Sequence, residues 1–256
     1  MNTSYEESWN KKVIIITGGS SGIGKATAVA LAQMNANVIV TGRTEKSLEE
    51  TASLHENIHF VVADSSDSAS SEKIVAYAKA NFGRIDSVIN NAGAGGMRPI
   101  EAYDENFIEE LSSTNIVAPS MLLKFALPFL KESEGTVVNI CTAVSNNAGP
   151  MIAHYGATKA ALEYLTKSWA IELAQHNIRV NAIAPGPVKT GALTGIMGLE
   201  AAMAESVEKM EAEQVPLGRR GITQDIVPWI LEFSSSNNKW TTGQILTIDG
   251  GWSQRS

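Results

Sequence analysis

A single cysteine, Cys141, stands in a chain of 256 residues. That excludes any intrachain disulfide and fits a reducing compartment, so a cytoplasmic location is the expectation. No stretch approaches the ~18 consecutive apolar residues of a membrane helix. The first ten residues, Met1 to Asn10, are polar and acidic and lack the basic start and apolar core of a signal peptide. Basic residues are outnumbered, 20 against 27 acidic, for a formal charge of −7. The chain therefore lacks the cationic footprint that nucleic acid or an anionic membrane requires of a main partner. The four histidines, His55, His59, His154 and His176, lack metal-site spacing, and no catalytic metal is expected. Repeats, low-complexity tracts and Pro/Ser-rich linkers are also missing. One domain over residues 1–256 is the simplest division, long enough to bury roughly 70–75% of its unfolded surface without staples.

Short runs rich in Val and Ile recur along the chain. They are Val13–Ile16, Val38–Val40, Ile58–Val62, Ser87–Ile89, Thr136–Ile140, Ile178–Ile183 and Ile245–Ile248. Bounded by Gly, Asn, Asp or Pro, they read as buried strands. Longer amphipathic stretches lie between them: Ile23–Met34, Glu45–Leu54, Ser68–Phe82, Asn106–Leu130, Ala153–Gln175 and Gln224–Phe233. This alternation predicts an α/β fold, a doubly wound and mostly parallel sheet with helices on both faces. Residues 190–213 break the alternation and read as a loop with one or two short helices.

The first strand runs into Thr17-Gly18-Gly19-Ser20-Ser21-Gly22-Ile23-Gly24 and then a helix. Strand, glycine turn and helix suit a dinucleotide pyrophosphate. Glycine lets the backbone approach closely, and the helix N-terminus offers free N–H groups and partial positive charge. Gly18, Ser20, Ser21, Gly22, Ile23 and Gly24 are the candidate phosphate-loop residues. Arg43 follows Gly24 by 19 residues, near the position that reads the adenosine ribose. A carboxylate there would take the ribose hydroxyls; a guanidinium instead pairs with a 2′-phosphate, so NADP(H) is favoured over NAD(H). Asp64, at the end of the third strand, suits the adenine amino group or, equally, a helix cap or loop.

With these pieces in order, the chain resembles the short-chain dehydrogenase/reductase family in its shorter, roughly 250-residue branch. The matching motifs are Thr17-Gly18-x-x-x-Gly22-x-Gly24, Asn90-Asn91-Ala92-Gly93, Asn115, Tyr155-x-x-x-Lys159, Pro185-Gly186-Pro187-Val188-Lys189-Thr190, and Thr242-Gly243-Gln244 with Asp249-Gly250-Gly251. The resemblance implies a Rossmann-type sheet of seven strands, a homotetramer or homodimer, and a pocket at the C-terminal strand ends. It also implies that Asn91, Ala92 and Gly93 line the adenosine ribose. Pro185, Gly186, Val188 and Thr190 would meet the nicotinamide.

The implied activity is hydride transfer between the nicotinamide and a small carbonyl or alcohol substrate. Tyr155 and Lys159, four apart, share one face of a helix. A free phenol, with a pKa of about 10, is a poor base at neutral pH. An ammonium ~4 Å away at an effective dielectric near 20 supplies about 4 kcal/mol towards its ionisation. The family places a serine thirteen residues before the tyrosine to hold the substrate oxygen; here that position is Thr142, which keeps the hydroxyl but adds a methyl group and β-branching. Ser145 is a possible stand-in. Asn115, forty residues before Tyr155, matches the asparagine that distorts a helix and serves a proton relay to the lysine. Met97, Met151 and residues 191–203 are expected to shape the pocket. A thioester on a carrier would want a basic approach surface, for which Arg98, Lys189, Arg219 and Arg220 are the candidates. A dinucleotide-binding sensor or scaffold of weak activity is the alternative reading, motivated by Thr142.

Overall fold

The computed structural model describes residues 8–146 and 148–254. Seven strands form one sheet in which every pairing is parallel. They are β1 (Val13–Thr17), β2 (Asn37–Gly42), β3 (Ile58–Val62), β4 (Ser87–Asn90), β5 (Thr136–Ile140), β6 (Arg179–Pro185) and β7 (Ile245–Ile248). Their order is β3-β2-β1-β4-β5-β6-β7. The chain winds outward from β1 to β3, then returns to β4 beside β1. That reversal opens a crevice at the strand C-terminal ends, where open α/β sheets bind ligands.

The strands are rich in Val and Ile because both faces are covered. Residues alternate across the sheet. Ile14 and Ile16 of β1 pack with Ala28 and Leu31 of α1 (Gly22–Gln33), Leu48 of α2 (Glu45–Ala52), and Ile226, Ile230 and Phe233 of α9 (Thr223–Ser234). Val13 and Ile15 face the other way. They meet Ile74 and Ala78 of α3 (Ser68–Phe82), Leu122, Ala126 and Leu130 of α5 (Ala118–Ser133), and Ala170 and Leu173 of α6 (Ala153–Leu173). Each such aliphatic side chain contributes about 1.5–3 kcal/mol when fully buried. Local signals set the helix ends: Asp67 caps α3 by accepting from the Ala69 N–H at 3.0 Å, and Gly83, at φ 70°, closes it.

Two elements differ from the sequence reading. The helix expected over Asn106–Leu130 spans Glu105–Ser133, and it is not uniform. Helix α4 (Glu105–Ser112) passes through a π-turn, Ser113–Val117, into α5. The span is long and apolar enough to cross a membrane by composition alone, but Leu122, Leu123, Ala126 and Leu130 pack onto the sheet. In the segment read as a loop with short helices, α7 (Ala192–Gly195) is short, whereas α8 (Ala201–Gln214) runs for 14 residues. Good helix formers fill α8. It lacks the apolar stripe that would have revealed it, and Ala204 is its buried residue.

The sheet is tied at its N-terminal edge by Asp86, which is 8% exposed. Its carboxylate accepts from the Val13 N–H at 2.9 Å, Lys12 Nζ at 3.0 Å, and Arg84 Nε and Nη2 at 2.8 and 2.6 Å. Asp86→Ala leaves a buried N–H and two cations without their partner. We expect a loss of about 2–3 kcal/mol in urea unfolding, less than for a fully buried pair because both cations are partly solvated.

Candidate active site

The phosphate loop is held open by close backbone contacts. Gly18 and Gly22 adopt φ +66° and +54°, where side chains are strained. A Cβ on Gly24 would sit 2.4 Å from the Gly18 carbonyl oxygen. Asn91 Nδ2 donates to the carbonyls of Thr17 and Gly18, both at 2.9 Å, and Thr17 Oγ1 accepts from the N–H groups of Asn91 and Ala92. These bonds lock the loops after β1 and β4 together. Helix α1 starts directly behind them with no acidic residue in its first turn, so the positive end of its dipole is uncompensated.

A cavity of about 560 Å³ opens above this loop. Gly18, Ser20, Ser21, Gly22 and Ile23 form one end of it, with Arg43 and Asp64 beside them. Gly24 does not line it and acts from below, through packing. The Ser66 amide and hydroxyl hold the Asp64 carboxyl below the usual carboxylate range, against the effect of burial; Arg43 contributes in the same direction as Ser66. Asn91, Ala92 and Gly93 continue the wall, and Pro185, Gly186, Val188 and Thr190 also line it, with Thr190 packed beside Gly22. Thr142, Tyr155 and Lys159 share the same cavity, and the Thr142 hydroxyl bonds the Tyr155 phenol.

Helix α6 places Tyr155 in its first turn and Lys159 one turn later, so both enter from one face. Lys159 is 4% exposed and its ammonium donates to the Ile140 carbonyl at 2.9 Å. Burial lowers its pKa. Burial likewise raises that of the Tyr155 phenol, and a hydrogen bond with the Thr142 hydroxyl opposes the rise. The sequence argument put a figure on the ammonium's attraction and none on the desolvation that opposes it, and so expected a lowered phenol pKa; in the structure desolvation is the largest cause and the shift is upward. Cys141, next to Thr142, is buried and its thiol is pushed up to about 12, consistent with an inert packing residue.

Asn115 lies outside the cavity wall, fully buried within the π-turn. Its Oδ1 accepts from the Ala94 N–H at 2.9 Å, and its Nδ2 donates to the Ala94 carbonyl at 2.9 Å and Thr158 Oγ1 at 3.0 Å. It thus joins the loop after β4 to α6 beside Lys159. Ser145 does not stand in for Thr142. Its hydroxyl lies between the Thr142 carbonyl, at 2.5 Å, and the Glu163 carboxyl.

The segment 191–203 was expected at the pocket, and Leu193, Ile196 and Met197 from α7 and its flank line the cavity, whereas Met97 and Met151 do not. The sequence reading missed other parts of the wall. Gly95 is one; a Cβ there would meet Met197 Sδ at 2.7 Å. Glu110, Glu211, Arg220 and Trp252 are others. These residues come from distant chain segments and carry no local motif, so only the fold brings them together. Of the basic residues considered as an approach surface, Arg219 is paired with Asp225 at 2.7 Å and Arg220 with Glu208 and Glu211.

Residues 12–198 match the family model described as short chain dehydrogenase. The chain belongs to the short-chain dehydrogenase family. This dehydrogenase is 31% identical over 245 residues to a 3-oxoacyl-[acyl-carrier-protein] reductase of Thermotoga maritima, covering 94% of this chain and 97% of that one. Among solved structures it superimposes on a short-chain dehydrogenase/reductase of unknown function from Caenorhabditis elegans with TM-score 0.90, at 32% identity and 97% coverage of both chains. A 3-ketoacyl-(acyl-carrier-protein) reductase of Brucella melitensis, complexed with NADH, gives TM-score 0.88 at 28% identity, covering 95% of this chain and 99% of that one. The dehydrogenase is accordingly a nicotinamide-dependent oxidoreductase acting between CH–OH and C=O groups.

The Gly24 contact gives a direct test. Gly24→Ala must displace the Gly18 carbonyl or the Asn91 amide, which a Cβ would approach to 2.5 Å. We expect dinucleotide affinity, read by quenching of tryptophan fluorescence, to fall at least tenfold, with the fold retained by circular dichroism.

Proposed function

We propose that this dehydrogenase uses NADP(H) to interconvert a small carbonyl and alcohol, with Tyr155 as the proton donor and acceptor. The single observation that carries the reading is the convergence of Thr142, Tyr155 and Lys159 on one cavity beside the phosphate loop. Positive φ at Gly18 and Gly22, and the absence of room for a Cβ at Gly24, suit a cofactor pyrophosphate. Gly18, Ser20, Ser21, Gly22 and Ile23 would hold the phosphates, Asn91, Ala92 and Gly93 the ribose, Asp64 the adenine, and Pro185, Gly186, Val188 and Thr190 the nicotinamide end. When bound, the nicotinamide supplies or accepts the hydride.

The chain's own residues handle the proton and the substrate oxygen. The Thr142 hydroxyl orients that oxygen. Because the phenol's pKa is raised, Tyr155 is protonated at neutral pH and set to donate to a carbonyl as it is reduced. Lys159 favours the phenolate that donation leaves behind, and its contact with the Ile140 carbonyl fixes where its charge sits. Asn115 acts as a positioning residue, holding the Ala94 backbone and Thr158 around the lysine. The pairing of Arg219 and Arg220 leaves Arg98 and Lys189 of the basic candidates for an anionic carrier, which favours an uncharged substrate. Exposed Tyr164 and Ile171, seven apart on α6, support a homotetramer or homodimer. The acidic balance argues against nucleic-acid and anionic-membrane partners, and the single cysteine fits a cytoplasmic enzyme.

Consumption of NADPH over a panel of ketones and quinones tests the proposal. Tyr155→Phe should lower kcat at least a hundredfold, Thr142→Ser should retain activity, and Thr142→Val should lose most of it. Dinucleotide binding with no consumption by the wild type would favour a sensor or scaffold. The pH profile has a definite sign. Carbonyl reduction needs the protonated phenol and should fall as pH rises through its pKa, while alcohol oxidation should rise across the same interval.

Cofactor choice has its own test. Arg43 is exposed at the cavity edge, and a guanidinium there can pair with a 2′-phosphate. Arg43→Ala should raise the KM for NADPH about tenfold or more and leave that for NADH within about twofold. Equal effects on both would assign Arg43 no part in the choice.

A further inference from the structure

Helix α8 reaches the cavity wall through Glu211 and has little apolar attachment. Ala204 is its buried residue, while Met203 and Met210 are 57% and 48% exposed. A 14-residue helix is marginal on its own, and burying one alanine adds little. Something else must hold it against the cavity.

Arg220 supplies that tether. It is 4% exposed, and it reaches two elements at once. Its Nε lies 2.9 Å from Glu211 Oε2, and its Nη1 pairs with Glu208 Oε1. Glu208 and Glu211 are three apart on α8 and so share a face. The approach to both carboxylates is off the N–H directions, so these contacts are ion pairs rather than aligned hydrogen bonds. The remaining nitrogen, Nη2, donates to the Val188 carbonyl at 3.1 Å. The backbone beside Arg220 is joined to the same loop: Gly221 N–H donates to the Pro187 carbonyl at 2.8 Å, and Lys189 N–H to the Gly221 carbonyl at 2.9 Å. Arg219, paired with Asp225 of α9, anchors the turn from outside.

We propose that Arg220 is a positioning residue whose guanidinium clasps α8, through Glu208 and Glu211, to the 187–190 loop and thereby fixes the part of the cavity wall that Glu211 and this loop share. The proposal deepens the oxidoreductase reading and rests on it for the identity of the site. The clasp itself is geometric. A guanidinium suits the role because its charge is spread over three nitrogens and stays protonated when buried, so one side chain can pair with two carboxylates and still donate to a carbonyl. Glu208 is 44% exposed and Glu211 18%, so the outer arm is the weaker and the inner one the stronger.

The test uses the full-length enzyme and hydrogen exchange of the α8 amides. The double variant Glu208→Gln with Glu211→Gln removes both carboxylate charges and leaves the Val188 contact in place. Exchange across residues 201–214 should rise at least tenfold while that of β1, β4 and β5 is unchanged. Arg220→Met should do the same; if it fails to fold, the double variant still decides. For any ketone the wild type reduces, the double variant should raise KM at least fivefold with NADPH affinity held within twofold. Unchanged exchange over 201–214 in the double variant overturns the clasp, and raised exchange with unchanged KM overturns its positioning role. Exchange is read without turnover, so a wild type that reduces nothing would sink the oxidoreductase reading and leave the clasp standing or falling separately.

Discussion

A lysine ammonium buried at the C-terminal end of β5 is the constraint around which the rest of the site is arranged. Removing an ammonium from water costs several kcal/mol even after relaxation. Lys159 recovers part of this from the Ile140 carbonyl, which is oriented by the sheet itself. Its surroundings are then dictated. A Cβ on Gly93 would come within 3.3 Å of the ammonium, close enough to push it by a few tenths of an ångström. Asn115 occupies the next layer and is satisfied on both ends of its amide by the Ala94 backbone, with Thr158 taking the remaining donor. Thr158 in turn donates to the Tyr155 carbonyl one turn back. These bonds join α6, the loop after β4 and the π-turn into one unit around the charge.

The π-turn shows why that unit needs a break in helix regularity. An α-helix continuing evenly from α4 to α5 would rotate Asn115 by a different angle from the one observed. Inserting wide turns at Ser113–Val117 lets α4 and α5 each pack normally while Asn115 points at Ala94. Departures of this kind often mark functional sites, because regular packing would otherwise remove them.

Much of the architecture was legible because both sheet faces are buried. Val13–Ile16 and Thr136–Ile140 read as strands from short Val- and Ile-rich runs, and their true bounds differ by at most one residue. The phosphate loop and the Tyr155–Lys159 pair were legible for another reason: each is a local pattern with a mechanism behind its spacing. What stayed hidden depended on packing at a distance. Helix α8 has helix-forming residues but almost no apolar periodicity, and its attachment is ionic, so no pattern announced it. Arg220 read as one more surface cation until the fold placed two glutamates against it. The direction of the Tyr155 shift was likewise out of reach, since the sequence gives a neighbouring charge but not how much water the site excludes.

That exclusion of water gives the two central groups opposite tendencies. Burial raises the phenol's pKa and lowers the ammonium's, so each is pushed towards its neutral form. A neutral phenol is a competent acid, whereas a neutral amine would give no help to the phenolate. A charged Lys159 would favour the phenolate, and a phenolate would keep the lysine charged. On the proposed reading, proton transfer at Tyr155 would depend on how well the two are shielded together. Thr142 would then matter twice: its hydroxyl would meet the substrate oxygen, and it bonds the phenol, which favours the phenolate. A β-branched side chain holds that hydroxyl in few rotamers, so the substitution that departs from the family pattern also restrains the donor.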